Sequence, residues 1–360
     1  MFYLFGSAAT PSRPPTAVDL PPPGGGKEPL VQVEDLHVKF VSRDETVWAV
    51  NGVSFELKRG EVLCLIGESG SGKTVTMRAL MRLLPRRRAV LSGSIRVGGR
   101  DILSLSEAEL TQVRGSEIAM VFQEPMTALD PVYTIGQQIS ETVMRHEGCS
   151  RGDAMARALE LLQLVRVPSP ERRLLAFPHE LSGGLRQRAT IAVALSCRPS
   201  LLLADEPTTA LDATVQIQVL ILLRKLQAEM GMSVILVTHD LGVAAQIADK
   251  IAVMYAGRII EYGNARDVLL NPSHPYTIGL LSSTVHGQNR ERDIEAIPGS
   301  PPDLRLRASG CSFRPRCKFA VAACASEVPP PLAMPSGTTV CCLRARDVAH
   351  ARMESLALTP

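Results

Sequence analysis

The segment Gly67-Glu68-Ser69-Gly70-Ser71-Gly72-Lys73-Thr74 constrains the fold of this chain more than any other stretch. It matches G-x-x-x-x-G-K-[ST] and follows a continuous apolar run, 62–66, typical of a strand buried on both faces. Its glycines let successive backbone N–H groups turn inward around phosphates, in conformations that a Cβ would obstruct. A strand-to-helix turn without a ligand is the alternative. The order of strand, loop and helix favours phosphate binding.

The residue types in this loop suit a nucleotide bound with Mg²⁺. Lys73 is expected to reach the β- and γ-phosphates, and Thr74 to supply a hydroxyl to the metal. The helix predicted from Lys73 to about Leu84 points its positive end at the same anions. The residues predicted to bind ATP here are Gly67, Glu68, Ser69, Gly70, Ser71, Gly72, Lys73, Thr74 and Val75.

A second apolar strand ends in two carboxylates, in the order Leu201-Leu202-Leu203-Ala204-Asp205-Glu206. Asp205 is predicted to hold Mg²⁺, directly or through water, and Glu206 to polarise the water that attacks the γ-phosphate. Phosphoryl transfer needs mainly positioning and charge neutralisation, so one metal, one lysine and one water-orienting group suffice. Alone, the two carboxylates could simply cap the next helix. Together with the upstream loop they indicate ATP hydrolysis.

Strands and helices alternate along the chain, which predicts a parallel sheet covered on both faces. Alternating apolar residues between Leu30 and Leu57 predict a separate layer of antiparallel strands. We expect a flexible Pro- and Gly-rich leader at 1–29 and a core domain at 30–262, which contains a helical subdomain at about 125–190. A small C-terminal domain at 263–345 and a tail at 346–360 are expected to follow. Further strands are predicted at 118–122 and 234–237, and helices at 134–146, 151–164, 182–197, 213–229 and 240–248.

The overall composition limits which kinds of binding partner are expected. Basic and acidic residues nearly balance, 39 against 36, and no basic stripe with interleaved aromatic residues is visible, so nucleic-acid binding is not expected. The apolar runs are shorter than the roughly 20 residues that a membrane-spanning helix needs. We expect a cytosolic chain whose eight cysteines are reduced thiols or metal ligands.

A third motif resembles a known family. Leu181-Ser182-Gly183-Gly184-Leu185 is similar to the L-S-G-G-Q signature of ABC ATPases. The resemblance implies a RecA-like α/β core with an antiparallel β layer and a helical subdomain. It further implies that Ser182, Gly183 and Gly184 close over the ATP held by a partner subunit. By the same resemblance, 210–212 corresponds to the D-loop. The implied catalytic set is Lys73, Gln123, Glu206 and His239, and the implied Mg²⁺ ligands are Thr74, Gln123 and Asp205.

The fifth position of the signature is Leu185 instead of Gln, which resembles the D-type ATPase of dipeptide/oligopeptide permeases. The stretches 123–131, 205–212 and 274–277 are also typical of that family. The resemblance runs from about Leu30 to Leu343. It implies a second, F-type ATPase, two transmembrane permease subunits and an extracytoplasmic substrate-binding protein. It also implies a peripheral position at the cytoplasmic face of the inner membrane. The resemblance implies that the chain hydrolyses ATP to power an importer of dipeptides or oligopeptides. The same role in a transporter of nickel chelates, glutathione or antimicrobial peptides is the alternative within this family.

Soluble ABC ATPases are the alternative from another functional class. Those of translation usually carry two cassettes in one chain, and this chain carries one. Those of DNA repair and chromosome condensation need a long coiled coil between the phosphate loop and the signature. Only 108 residues (74–181) separate Lys73 from Ser182, so a transport role is favoured.

Trp48 is the only tryptophan and lies 25 residues before Lys73 at a predicted strand edge. The family resemblance implies an adenine-stacking aromatic residue in this region, and Trp48 is predicted to serve as one. Packing in the core is the alternative for this side chain.

Five of the eight cysteines lie between 311 and 342, which suggests a thiolate metal site in a cytosolic protein. The spacing differs from the C-x₂-C pairs of zinc ribbons and bacterial ferredoxins. The resemblance to the permease tail implies a [4Fe–4S] cluster; a zinc site and unligated thiols are the alternatives. The predicted ligands are Cys311, Cys317, Cys324 and Cys341, the last preferred to Cys342 for its register after Val340.

Overall fold

Two β-sheets of different character organise the chain. The computed structural model describes residues 28–124, 128–209, 211–283 and 296–357. One sheet has four antiparallel strands in the order β2-β1-β4-β5, and the other has eight strands in the order β11-β12-β10-β9-β3-β8-β7-β6. The strands are β1 (Val31–Val41), β2 (Thr46–Leu57), β3 (Val62–Ile66), β4 (Ala89–Val97), β5 (Arg100–Asp101), β6 (Ile118–Val121), β7 (Leu201–Asp205), β8 (Ser233–Thr238), β9 (Lys250–Tyr255), β10 (Arg258–Asn264), β11 (Leu332–Ala333) and β12 (Thr339–Val340).

Five strands of the larger sheet, β6, β7, β8, β3 and β9, run parallel, and β10 joins them antiparallel. Some helices of the described chain connect the parallel strands, several between β6 and β7 form the inserted subdomain, and three follow β10 in the C-terminal part. They span Lys73–Leu80, Glu107–Ser116, Ile135–Glu147, Arg151–Leu164, Pro170–Leu174, Gly183–Ala194, Ala213–Met230, Leu241–Ile247, Ala265–Leu270, Pro275–Ser282 and Ala345–Ala357. None of the helices within these described ranges is both long and apolar enough to cross a membrane.

The parallel sheet separates two hydrophobic clusters because its strands are buried on both faces. Alternate residues of one strand enter different clusters: Cys64 packs with the helical subdomain, and Leu63 and Leu65 pack with the antiparallel sheet. The first cluster therefore holds the inserted helices to the sheet, and the second holds the antiparallel layer to its other face.

Most predicted elements are confirmed within a few residues, including the antiparallel layer and the parallel core. The helix predicted from Lys73 to about Leu84 ends earlier, at Leu80, and Arg82 adopts a left-handed backbone conformation (φ 49°) just beyond it. The sequence pattern predicts none of the following elements: β4, β5, β9, β10, β11, β12 and the helices Glu107–Ser116, Ala265–Leu270, Pro275–Ser282 and Ala345–Ala357. Part of the leader, 1–27, lies outside the described residues.

The C-terminal residues contribute to the main sheet. Strand β12 pairs with β10, with Glu261 opposite Val340, and β11 pairs with β12. A small buried cluster of Met334, Val340 and Ala345 belongs to this part, whereas Phe313 packs on the main core. The separation of 263–345 as a domain of its own stays a prediction.

Candidate nucleotide-binding site

The predicted phosphate loop follows β3 and leads into the helix Lys73–Leu80. Gly67 and Gly72 have φ angles of 155° and 103°. A Cβ on Gly67 would lie 2.2 Å from the Met254 carbonyl oxygen, and one on Gly72 would lie 2.6 Å from that of Ala49. Backbone conformation and close approach therefore both require glycine at these two positions.

Lys73 is buried beneath this loop, with 5% of its surface exposed. Its Nζ donates to the carbonyl oxygens of Gly67 at 2.7 Å and Glu68 at 2.9 Å. Burial lowers the pKa of Lys73, while the nearby carboxylates of Glu206, Asp205 and Glu68 act in the opposite direction. The ammonium group is thus held at the loop where the sequence predicted phosphate binding.

Thr74 and Asp205 meet at the carboxyl ends of β3 and β7. The Thr74 hydroxyl donates to Asp205 Oδ1 at 2.9 Å. Burial raises the pKa of Asp205, and a cation placed beside it would favour the ionised form. A hydroxyl and a carboxylate are oxygen donors of the kind that Mg²⁺ prefers. The pair therefore fits the predicted metal site.

Glu206 lies at the centre of a second polar group. Its Oε2 accepts a hydrogen bond from the Thr209 hydroxyl at 2.8 Å and from Gln123 Nε2 at 3.3 Å. His239 Nδ1 is 3.4 Å from the same oxygen. The Glu206 backbone is left-handed (φ 45°), and its N–H donates to the Val237 carbonyl at 3.1 Å. Three residues predicted to be catalytic, Gln123, Glu206 and His239, thus converge at the ends of β6, β7 and β8.

The signature motif lies on the surface at the start of the helix Gly183–Ala194. Ser182 is its N-cap and accepts a hydrogen bond from the Leu185 N–H at 3.4 Å. Ser182 and Gly183 are exposed, and a Cβ on Gly184 would lie 2.6 Å from Val215 Cγ1. The apolar Leu185 leaves the helix N-terminus intact. Ala210 of the predicted D-loop lies outside the described residues, and Asp212 caps the helix Ala213–Met230.

Cations cover the ring of Trp48. Lys39 Nζ lies 5.2 Å and the Arg307 guanidinium carbon 5.0 Å from the ring centroid, as in cation–π contacts. The Trp48 N–H of the backbone donates to the Leu304 carbonyl at 2.9 Å. These two cations would compete with an adenine base for the faces of this ring. The predicted stacking role stays a prediction.

Two residues at the phosphate loop were missed by the sequence analysis. The Tyr276 hydroxyl accepts a hydrogen bond from the Glu68 backbone N–H at 2.9 Å. Arg316 forms a two-pronged ion pair with the Glu68 carboxylate. The Glu68 side chain, predicted to belong to the ATP-binding set, is thus engaged by the C-terminal part of the chain. The motif 274–277 was recognisable in the sequence, but its contact with the loop was not.

The cysteine-rich segment forms a cavity next to a buried histidine. Cys311, Cys317, Cys324 and Cys342 line this cavity together with His274, whereas Cys341 lines a neighbouring one with Cys311. The predicted Cys341 therefore does not share the cavity of the other three predicted ligands. Its backbone N–H instead donates to the Ile260 carbonyl at 2.8 Å, which continues the pairing of β12 with β10.

Burial favours the neutral form of three of the thiols that line this cavity. Burial raises the pKa of Cys342 to about 11, and also raises those of Cys311 and Cys317. His274 Nε2 is buried without a hydrogen-bond partner among the described residues. Among all the residues that the structure describes, no three His, Cys, Asp or Glu side chains are grouped closely enough to hold a metal ion.

Comparisons with known proteins agree with this geometry. The family model described as ABC transporter matches residues 50–209, and the one described as oligopeptide/dipeptide transporter, C-terminal region, matches 260–324. A peptide import ATP-binding protein of Brucella abortus is 47% identical over 90% of this chain and 99% of its own length. The oligopeptide transport ATP-binding protein OppD of Salmonella typhimurium is 46% identical over 91% of this chain and 97% of its own.

Solved structures point the same way. The dimeric ATP-binding cassette MJ0796, in a post-hydrolysis state with ADP and phosphate, is 30% identical, with a TM-score of 0.59 over 66% of this chain and 99% of its own. The fold and the site thus define an ATP-binding cassette. The chain belongs to the ATP-binding subunits of ABC transporters.

Proposed function

We propose that this chain hydrolyses ATP to power an importer of peptides at the cytoplasmic face of the inner membrane. The observation that carries the proposal is the convergence of Lys73, the Thr74–Asp205 pair and Glu206 at the carboxyl ends of neighbouring parallel strands. The names of the relatives and the match of 260–324 to the oligopeptide/dipeptide transporter region support a peptide substrate.

Each side chain has a definable part in the hydrolysis. Lys73 exchanges its loop carbonyl contacts for the β- and γ-phosphates. Thr74 and Asp205 would hold Mg²⁺, and the ion would neutralise phosphate charge. Glu206 orients the attacking water, and His239 and Gln123 hold the Glu206 carboxylate at its Oε2. Positioning and charge neutralisation then account for the rate increase.

The signature motif implies a second ATPase subunit. Ser182 and Gly183 are exposed at a helix N-terminus, an arrangement suited to binding a phosphate group. We assign them to the ATP held by a partner of the F type, in an assembly with two permease subunits and an extracytoplasmic binding protein. The division of the chain at 262/263 into cassette and C-terminal domain belongs to the same proposal.

The cysteine cavity is proposed to hold a [4Fe–4S] cluster. Cys342 replaces Cys341 as the fourth ligand, because it lines the cavity with Cys311, Cys317 and Cys324. The orphaned Nε2 of His274 suits an anionic sulfur acceptor. The cluster would join residues of a proline-rich segment that has little core of its own. The thiols must come closer together to ligate it, since no group at ligating distance is present in the described chain.

Adjacent cysteines supply a matched test of this cluster. Anaerobically purified protein should be brown, absorb near about 400 nm and contain iron and sulfide in roughly fourfold equivalents. C342S should lose most of the iron, and C341S should retain it. Zinc without iron would replace the cluster with a zinc site. Absence of any metal would leave ordinary thiols.

Reconstitution tests the transport proposal. The chain, co-expressed with permease subunits and a second ATPase encoded beside it, should co-purify with them in detergent. In proteoliposomes, peptide-loaded binding protein should stimulate ATP hydrolysis, and oligopeptide should accumulate inside. Stimulation by a nickel chelate or glutathione, with no response to peptides, would change the substrate. Co-purification with ribosomes or DNA instead would overturn the transport role.

A further inference from the structure

The C-terminal part of the chain holds the phosphate loop at one residue, Glu68, from two directions. Tyr276 lies in the helix Pro275–Ser282, and its hydroxyl accepts the Glu68 backbone N–H at 2.9 Å. Arg316 lies in a 3₁₀ turn, Arg314–Arg316, and its Nη1 and Nη2 donate to the two Glu68 carboxylate oxygens at 2.8 and 3.0 Å. The contacts join residues 208 and 248 positions apart.

The surroundings of Arg316 supply a hydrogen-bond acceptor for every N–H of its guanidinium group. Besides the two bonds to Glu68, its Nε donates to the Pro298 carbonyl at 2.8 Å. Its Nη1 and Nη2 each make one further bond, to the Tyr255 hydroxyl and the Ile297 carbonyl, both at 3.4 Å. All five N–H groups of the side chain are thereby used. Only 5% of the side chain is exposed, so this is not an ordinary surface ion pair.

The aromatic rings of Tyr255, Tyr276 and Phe313 pack together and support both contacts with Glu68. Tyr276 is fully buried, and its ring centroid lies 4.6 Å from that of Tyr255 and 5.4 Å from that of Phe313. The Arg316 guanidinium carbon lies 5.8 and 5.9 Å from the Tyr255 and Phe313 rings. The two groups that reach Glu68 are therefore fixed by packing and by hydrogen bonds.

The position of Glu68 gives these contacts a consequence for nucleotide binding. The Glu68 carbonyl accepts from Lys73 Nζ, and its carboxylate is among the charges that act on that ammonium group. An unpaired carboxylate in a loop that receives a triphosphate would repel it. The Tyr276 bond also fixes the orientation of the peptide between Gly67 and Glu68, where the loop begins its turn.

We propose that Arg316 and Tyr276 are positioning residues for ATP binding: Arg316 neutralises Glu68 and Tyr276 orients its peptide, so that the phosphate loop is ready for the nucleotide. The inference rests on the proposed ATP-binding role of the loop. It assigns to the C-terminal segment an effect on nucleotide affinity that a purely architectural contact would not have.

Titration calorimetry of the full chain with a non-hydrolysable ATP analogue and Mg²⁺ tests the idea. R316Q should raise the Kd at least about tenfold, the size expected when a charge-assisted pair is lost and its partner stays charged. E68Q/R316Q should bind several times more tightly than R316Q, because the repelling carboxylate is gone. R314Q removes the same charge from an exposed neighbouring position and should bind as the wild type does.

A variant of Tyr276 and a conservative variant of Arg316 extend this test. Y276F should weaken binding severalfold with little change in the thermal unfolding temperature. R316K, which keeps the charge but not the two-pronged geometry, should bind with intermediate affinity and stands in for R316Q if that variant does not fold. Wild-type affinity in R316Q or R316K, or failure of E68Q to rescue R316Q, would overturn the proposal. Unchanged binding by K73A would instead refute the nucleotide site itself, which separates the two failures.

Discussion

Replacement of Glu206 by glutamine separates ATP binding from ATP hydrolysis in this site. Glutamine retains the shape of the side chain and one oxygen able to accept hydrogen bonds from Thr209 and Gln123. The backbone strain at φ 45° is unchanged, since neither residue type is favoured in that conformation. The variant E206Q should therefore fold, with a loss of unfolding free energy of about 1 kcal/mol from weaker hydrogen bonds.

The effect on turnover follows from the loss of negative charge. A carboxylate that orients water stabilises the transition state more than the bound ground state, and removal of one such group typically reduces kcat by about 10²–10³-fold. This corresponds to roughly 3–4 kcal/mol of transition-state stabilisation. The affinity for Mg·ATP should stay within about threefold, because Lys73, Thr74 and Asp205 retain their places.

The measurement is ATP hydrolysis by the assembled transporter in which the second ATPase subunit has been silenced by mutation. E229Q supplies a matched control, because Glu229 is half-exposed and pairs only with Lys225 on the same helix in the described structure. It should leave kcat unchanged. Near-wild-type turnover in E206Q would show that another group orients the water. A large loss of ATP affinity would show instead that Glu206 acts in binding.

Three further predictions concern ATP binding and subunit closure. K73A should abolish tight binding of Mg·ATP in calorimetry, whereas K225A should not; equal affinity of the two variants would contradict the phosphate-loop assignment. S182R should bind ATP as the wild type does, but ATP should not induce its association with the second ATPase subunit, as measured by size-exclusion chromatography. Normal ATP-induced association would argue against a composite site. Trp48 is the only tryptophan, so saturating ATP should quench the intrinsic fluorescence if adenine stacks on it, and an unchanged spectrum would exclude stacking.

The cassette could be predicted from sequence because its constraints are local. Gly67 and Gly72 are required by backbone conformation, and strands such as β3 are continuous apolar runs because both their faces are buried. Carboxyl ends of parallel strands share one edge of a sheet, so the contacts of Thr74 with Asp205 and of Gln123 with Glu206 follow from their positions at or after strand ends. The strands β4, β9 and β10 were not predicted, although they too belong to the sheets.

The tertiary structure alone decided the contacts between distant segments. Which of Cys341 and Cys342 faces the cysteine cavity depends on the register of β12 against β10, since neighbouring residues of an extended chain point to opposite sides. The contact of Arg316 with Glu68 spans 248 positions and depends on how the C-terminal segment packs against Tyr255 and Phe313. No local pattern encodes such a pairing, because it is fixed by the packing of segments that are remote in the chain.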